Sequence, residues 1–267
     1  MKKRFNILAI ILVLIISMFS GCSFVGGGLG GNSQNIDYAT LVNNITNTSM
    51  KSNVWVDFTY SYHSINNNFD NKTSVSSGSG VIIDKKLSGD SYIYYFLTNN
   101  HVVQHNLSLD EYVVYPSKNP YEVYDCWGRG SKAQLIHCDK DYDLALLSFS
   151  SKEDLPVLKF ATKTLTYGDI VISLGQPDGQ KNAITFGKFL GMQSVELANN
   201  ENSNVNFDVL RHNAPITHGS SGGVLLNYEL LIVGINFAGL EDDEISYGFA
   251  IPNEKVLEFL SKTGYNE

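Results

Sequence analysis

The chain has 267 residues, 43% of them hydrophobic and 17% charged, with 15 tyrosines and 14 phenylalanines. That much apolar and aromatic side chain excludes a disordered composition, and a net charge of −8 excludes the basic footprint of a nucleic-acid binder. A single long apolar run excludes a multi-span membrane protein, and no heptad or repeat period persists.

That run, Ile7 to Phe19, follows Lys2-Lys3-Arg4 and precedes Ser20-Gly21-Cys22. At about 1.5 Å per residue it spans roughly 20 Å, short of a hydrocarbon core of ~30 Å. Residues 1–21 therefore read as a secretory signal peptide. Ser20-Gly21-Cys22 resembles the lipobox of bacterial lipoproteins, with Phe19 where an aliphatic residue is usual. The resemblance implies a diacylglycerol on Cys22 and a membrane as partner; an ordinary signal peptide with an incidental Cys, or an uncleaved anchor, stays open. Removing three cations with residues 1–21 takes the charge from −8 to −11, so the body is poorly suited to lie on anionic lipid. Residues 22–35, rich in glycine, read as a tether reaching about 20 Å. Cys126 and Cys138 remain; secretion permits a bridge between them, and two free thiols fit equally well. No CxxC or HExxH occurs, so no metal or cofactor is expected.

From Ile36 the spacing of Tyr38, Leu41, Val42 and Ile45 predicts a short amphipathic helix. Short strand patterns follow at 54–60, 80–83, 92–98, 111–115, 122–126, 133–137 and 144–149, with an Asn-rich loop at 64–71. The pattern resumes at 169–174, 183–192, 207–210, 224–226, 231–237 and 247–251, and 254–262 predicts a final helix. A dozen short strands separated by turns predict an all-β fold. The loop near Ser150–Asp154 splits them into two similar sets, 36–152 and 153–267. Two antiparallel six-stranded barrels are the expectation, since closure removes exposed edges. The aromatic cluster Tyr92-Tyr94-Tyr95-Phe96 reads as sheet packing, and the acidic run Glu241-Asp242-Asp243-Glu244 as a solvated loop.

Three segments carry chemistry: Leu97-Thr98-Asn99-Asn100-His101-Val102-Val103, Asp143-Leu144-Ala145-Leu146-Leu147 and His218-Gly219-Ser220-Ser221-Gly222-Gly223. A Ser hydroxyl is a weak nucleophile until a base removes its proton, and a neutral imidazole is suited to that near pH 7. The imidazole in turn needs a buried carboxylate on its other nitrogen. His101 follows a strand, with His105 as competitor; His63 and His137 read as strand or surface residues. Asp143 directly precedes an apolar strand, whereas Asp139 and Asp141 do not. Ser221, not Ser220, precedes two glycines.

These residues resemble the trypsin-like serine proteases, most closely the HtrA/Deg branch. The similarity also takes in Ser79-Gly80-Val81-Ile82-Ile83, Gly168-Asp169-Ile170-Val171, Gly175-Gln176-Pro177-Asp178-Gly179, Thr185-Phe186-Gly187, Val233-Gly234-Ile235-Asn236 and Gly248-Phe249-Ala250-Ile251-Pro252, and covers roughly Val54 to Leu260. It implies a chymotrypsin-like double barrel and a triad of His101, Asp143 and Ser221. It also implies an oxyanion hole from the amides at Gly219, Ser220 and Ser221, and a substrate cleft near His218, Ile235, Asn236 and Phe237. Gly-Ser-Ser-Gly-Gly stands where Gly-Asn-Ser-Gly-Gly is usual, and with fifteen residues after Pro252 the expectation is a chain without a PDZ domain. The function implied is a serine endopeptidase acting on proteins or peptides at the outer face of a bacterial membrane. A catalytically silent surface binding protein or adhesin is the alternative, and a glutamyl endopeptidase the alternative among proteases.

Overall fold

The computed structural model describes residues 37–64, 67–104, 112–176, 182–195, 203–242 and 245–265. The expected signal peptide, tether and Cys22 lie outside the described residues, as do His105 and residues 177–181 of the central motif.

Helix α1 (Tyr38–Asn47) opens the described chain, with the Asp37 carboxylate accepting the Ala39 and Thr40 amides and with Leu41 and Ile45 buried on one face. Strands β1 (Asn53–Ser64), β2 (Asn67–Ser88) and β3 (Ser91–Thr98) follow, then a one-turn helix α2 (Asn100–Val103). Next come β4 (Tyr112–Tyr124), β5 (Gly130–Asp139) and β6 (Leu144–Ser151). These six strands close antiparallel in the order β1-β2-β3-β6-β5-β4. Strands β7 (Ile170–Gly175), β8 (Ala183–Gln193), β9 (Val209–His212), β10 (Val224–Asn227), β11 (Ile232–Asp242) and β12 (Ile245–Pro252) close a second barrel, in the order β10-β11-β12-β9-β8-β7. Helix α3 (Asn253–Lys262) ends the fold, burying Val256, Phe259 and Leu260 at helical spacing. The expected pair of six-stranded barrels is what forms.

Three local expectations are corrected, and one left open, the state of the two cysteines, is decided. The Asn-rich stretch is not a loop: β1 and β2 pair out to Ser64 and Asn67. Residues 111–115 and 122–126 are not separate strands; β4 runs through Pro116 and Pro120. It tolerates Pro116 where the register with β1 shifts, between Phe58 and Tyr60. Glu241 and Asp242 extend β11 instead of lying in a loop. Cys126 and Cys138 are free thiols, and burial pushes both up, Cys126 to about 11.

Strand alternation divides the apolar side chains among three places. Val54, Val56, Ile82, Tyr94, Phe96, Val123, Leu147 and Phe149 fill the first barrel. Val171, Phe189, Leu210, Leu225, Val233 and Ala250, one from each strand, fill the second. The alternate residues Val81, Leu97, Leu144 and Leu146 face outward and join Ile172, Leu174, Val224, Ile235 and Ile251 in a seam that α1 and α3 also enter. Strand β6 is apolar at every position from Leu144 to Leu147 because both of its faces are buried.

The second barrel also encloses a polar group. His212 Nε2–H donates to Asn236 Oδ1 (3.1 Å), and Asn236 Nδ2 donates to Ser173 Oγ (2.9 Å). His212 and Asn236 are fully buried, and His212 Nδ1 finds no partner among the described residues. Burial pulls His212 down to about 4, against partial support from Asn236. It is therefore neutral when folded and more basic when unfolded. Because the unfolded chain binds more protons between pH ~6.5 and ~4, His212 withdraws up to about 3 kcal/mol of stability as pH falls through that window. The stability difference between wild type and His212→Leu, read from urea melts, should therefore shrink from pH 7 to pH 4.5. A difference independent of pH would show that His212 is not held neutral.

Candidate active site

Strand β3 stops at Thr98 and α2 begins at Asn100, so His101 is carried on a single helical turn, not on the strand end. Asp143 enters β6 from a turn in which its own amide donates to Lys140 O (3.2 Å). Its backbone is left-handed (φ 50°), a conformation costing a residue with a Cβ roughly 1–2 kcal/mol. Asn99 Nδ2 donates to the Asp143 carbonyl (2.8 Å) and helps hold it there. The carboxylate accepts twice from one residue: the His101 amide donates to Oδ1 (3.0 Å) and His101 Nδ1–H to Oδ2 (2.8 Å).

That pair fixes the tautomer. With Nδ1 donating to a carboxylate, Nε2 carries the lone pair. The His101 side chain keeps 24% exposure and the Asp143 side chain 1%, so a substrate can reach the ring but water scarcely reaches the carboxylate. Burial pulls His101 down, but the charge and hydrogen bond of Asp143 outweigh it, and the imidazole ends above its ordinary 6.5.

Ser221 lies in the turn before β10. Its hydroxyl donates to Phe237 O at 3.5 Å, a long bond that a side-chain rotation gives up at little cost. A Cβ placed at Gly78 would lie 2.7 Å from Val102 and 2.9 Å from the Ser221 carbonyl, so α2 and this turn meet across Gly78. Gly219 and Gly222 carry φ of 90° and 83°, and a Cβ on Gly222 would come within 2.1 Å of Ser79 O. The turn is tied on every side. Ser220 N–H donates to Thr217 O (3.0 Å), Gly223 N–H to Ser220 O (2.9 Å) and Gly222 N–H to Asn236 O (2.9 Å).

Ser79, on β2 and fully buried, is the joint between barrels. Its amide donates to Ser221 O (2.8 Å), while its hydroxyl donates to Gly219 O (2.7 Å) and accepts from the Gln176 amide (2.8 Å). Thr98 Oγ1 donates to Ser79 O (2.7 Å). With the Gly219 carbonyl drawn to Ser79, the amides of Gly219 and Ser221 have no acceptor among the described residues. Within the sequence Ser79 is only one member of a motif and Asn99 has no mark of its own; a hydroxyl beside a glycine carries no signal until the second barrel lies against it.

Three expected site residues are corrected. Ser220 is no oxyanion donor, because its amide is taken up by Thr217 O and its hydroxyl accepts the Thr217 amide (3.2 Å). Ile235 and Asn236 do not line the cleft: alternation along β11 turns Ile235 into the seam and Asn236 into the second barrel. The cavity beside Ser221, about 350 Å³, is bounded by Ile216, Thr217, His218, Ser220, Phe237, Ala238 and Gly239. His218 and Phe237 are on its wall. Ala238 and Gly239 reach the cavity because a bulge breaks the β11 ladder between Asn236 and Ala238.

Two small antiparallel barrels, with a His–Asp pair on one and a glycine-bounded Ser on the other, define the trypsin-like class. The family model of the trypsin-like peptidase domain matches residues 78–235, and the chain belongs to that family. Within it the similarity runs to HtrA/DegP proteases. The Do-like serine protease HtrA of Bacillus subtilis is 32% identical over 234 residues, covering 85% of this chain and 47% of that protein. The periplasmic serine endoprotease DegP of Salmonella typhimurium is 33% identical over 190 residues, covering 69% and 35%. A solved HtrA-type protease, an AlgW variant with a tripeptide, superposes with a TM-score of 0.61 at 25% identity, covering 83% of this chain and 62% of that one. The chain thus spans about half or less of the length of these two curated relatives.

Ser79→Ala should leave the Gln176 amide buried without an acceptor and cost about 1–3 kcal/mol. Denaturant melts of the purified variant would measure this, and wild-type stability would mean that the hydroxyl is not the joint described.

Proposed function

We propose that the chain is a serine endopeptidase acting through an acyl-enzyme, with Ser221 as nucleophile, His101 as proton shuttle and Asp143 as its orienting carboxylate. The observation that carries this reading is the 2.8 Å bond from His101 Nδ1 to Asp143 Oδ2, which leaves Nε2 free to accept the Ser221 proton. Ser221 Oγ attacks the scissile carbonyl as Nε2 takes its proton. The imidazolium, steadied by Asp143, returns that proton to the leaving amine. The amides of Gly219 and Ser221, which have no acceptor among the described residues, are the donors for the oxyanion of the tetrahedral intermediate, each such donor being worth roughly 3–4 kcal/mol. Water then hydrolyses the ester by the same proton path. Proteins or peptides are the substrates. Among the described residues the wall of the cavity beside Ser221 carries no carboxylate, which favours a small or apolar residue before the cut over a basic one; Asn236 is turned away from it, and His218 on the wall is the one feature that favours a glutamate.

Ser221→Ala should abolish labelling by a fluorophosphonate probe in a protein that still melts cooperatively; undiminished labelling counts against Ser221. A wild type that binds a surface protein yet never reacts with the probe would instead favour the adhesin reading. The base must be neutral to work and Asp143 holds His101 above 6.5, so kcat/KM should rise with an acid limb centred above that pH. A profile flat from about pH 5 to 9 would point to a different base.

We propose further that the protein is held at the outer face of a bacterial membrane through lipid on Cys22, a reading supported by the order Lys2-Lys3-Arg4, apolar run, Ser20-Gly21-Cys22. Cys22→Ala expressed in a bacterial host should move the protein from the membrane fraction to the soluble one, and unchanged partition would remove the anchor from the account.

A further inference from the structure

Tyr142 precedes Asp143 and reaches the other way, to α3. Its hydroxyl donates to Glu258 Oε1 (2.5 Å) and accepts from Lys262 Nζ. Its ring packs against Phe207 (6.0 Å) and Phe259 (6.1 Å) and is 7% exposed. Glu258 also takes Lys255 Nζ (2.8 Å), and Lys255, Tyr142 and Lys262 together hold its carboxyl down at about 2, so it is ionised at neutral pH. The rest of the turn is held from the second barrel. Asn204 N–H donates to Lys140 O (2.8 Å) and Asn204 Nδ2 to Asp141 Oδ1 (2.9 Å). A turn on the first barrel is thus fastened by α3 and by the segment leading to β9.

The Asp143 side chain is short, so its backbone dictates where the carboxylate points. Both bonds to His101, 3.0 and 2.8 Å, depend on that direction. The left-handed φ of 50° is a conformation that a free turn would relax. We propose that Tyr142 is a positioning residue: its bonds to Glu258 and Lys262 hold the Asp143 turn in its left-handed form, which makes α3 a lever on the His101–Asp143 pair. This rests on the reading of that pair as the working one.

The charged groups about Tyr142 are Glu258, Lys262, Lys255 through Glu258, and Asp139 beside Lys262; the group facing His101 is Asp143. Loosening the turn weakens what Asp143 does for the imidazolium, so the expected signature is on His101 itself. In the full chain, Tyr142→Phe keeps the ring and removes only the hydroxyl. His101 followed by NMR should titrate at a lower pH in this variant than in wild type. The acid limb of kcat/KM should move the same way, and kcat should fall about tenfold or more with KM little changed. Glu258→Gln keeps an acceptor for the hydroxyl and should stay near wild type; Glu258→Ala should behave as Tyr142→Phe does. A folded Tyr142→Phe or Glu258→Ala protein whose His101 titrates as in wild type overturns the proposal, even if its Tm has dropped. The histidine titration needs no turnover, so a wild type that never labels at Ser221 would sink the protease reading without deciding this one.

Discussion

Val81, Leu97, Leu144 and Leu146 on the first barrel meet Ile172, Leu174, Val224 and Ile235 on the second, and the geometry of the site hangs on that seam. Each such side chain contributes roughly 1.5–3 kcal/mol by leaving water, a drive with no direction of its own. Direction comes from the polar bonds at the seam's edge. Ser79 hands an amide to Ser221 O and a hydroxyl to Gly219 O, while Thr98 holds Ser79 in turn. The apolar contact brings the barrels together, and these few hydrogen bonds fix the Ser221 turn against β2.

The same seam explains the electrostatics. Asp143 stands at its rim with almost no exposure, which makes its charge effective on His101 and leaves the carboxylate few partners. The two donors of His101 are those partners, while Asn99 holds the backbone carbonyl of the same residue. Asp143, one of three left-handed non-glycine residues among those described, is fastened from Asn99 just before α2, from the segment before β9 and, through its neighbour Tyr142, from α3. A residue held against its own preference in this way marks where the fold gives up stability for geometry.

His212, Asn236 and Ser173 form a hydrogen-bonded polar group inside the second barrel. Asn236 links this interior to the Ser221 turn, since its backbone exchanges hydrogen bonds with Gly222 and Gly223 while its side chain faces His212. The expected role of Asn236 as a cleft residue fails because a strand places neighbours on opposite faces, and the register of β11 is set by the barrel it closes.

What the amino-acid order determines by itself is local and chemical. The apolar runs at 144–147 and 224–226 mark strands buried on both faces, and Gly222-Gly223 after Ser221 marks a turn that admits close backbone approach. The chain order of His101, Asp143 and Ser221 narrows the chemistry to one family. These features are legible because propensity, periodicity and glycine placement act over a few residues. The tertiary structure alone decides that β4 continues through two prolines, that Ser220 gives its amide to Thr217, and that Ser79 and Tyr142 reach across to Gly219 and Glu258. Those last two contacts join residues more than a hundred positions apart, and no local pattern encodes them: they exist only once the buried seam has brought distant strands into contact.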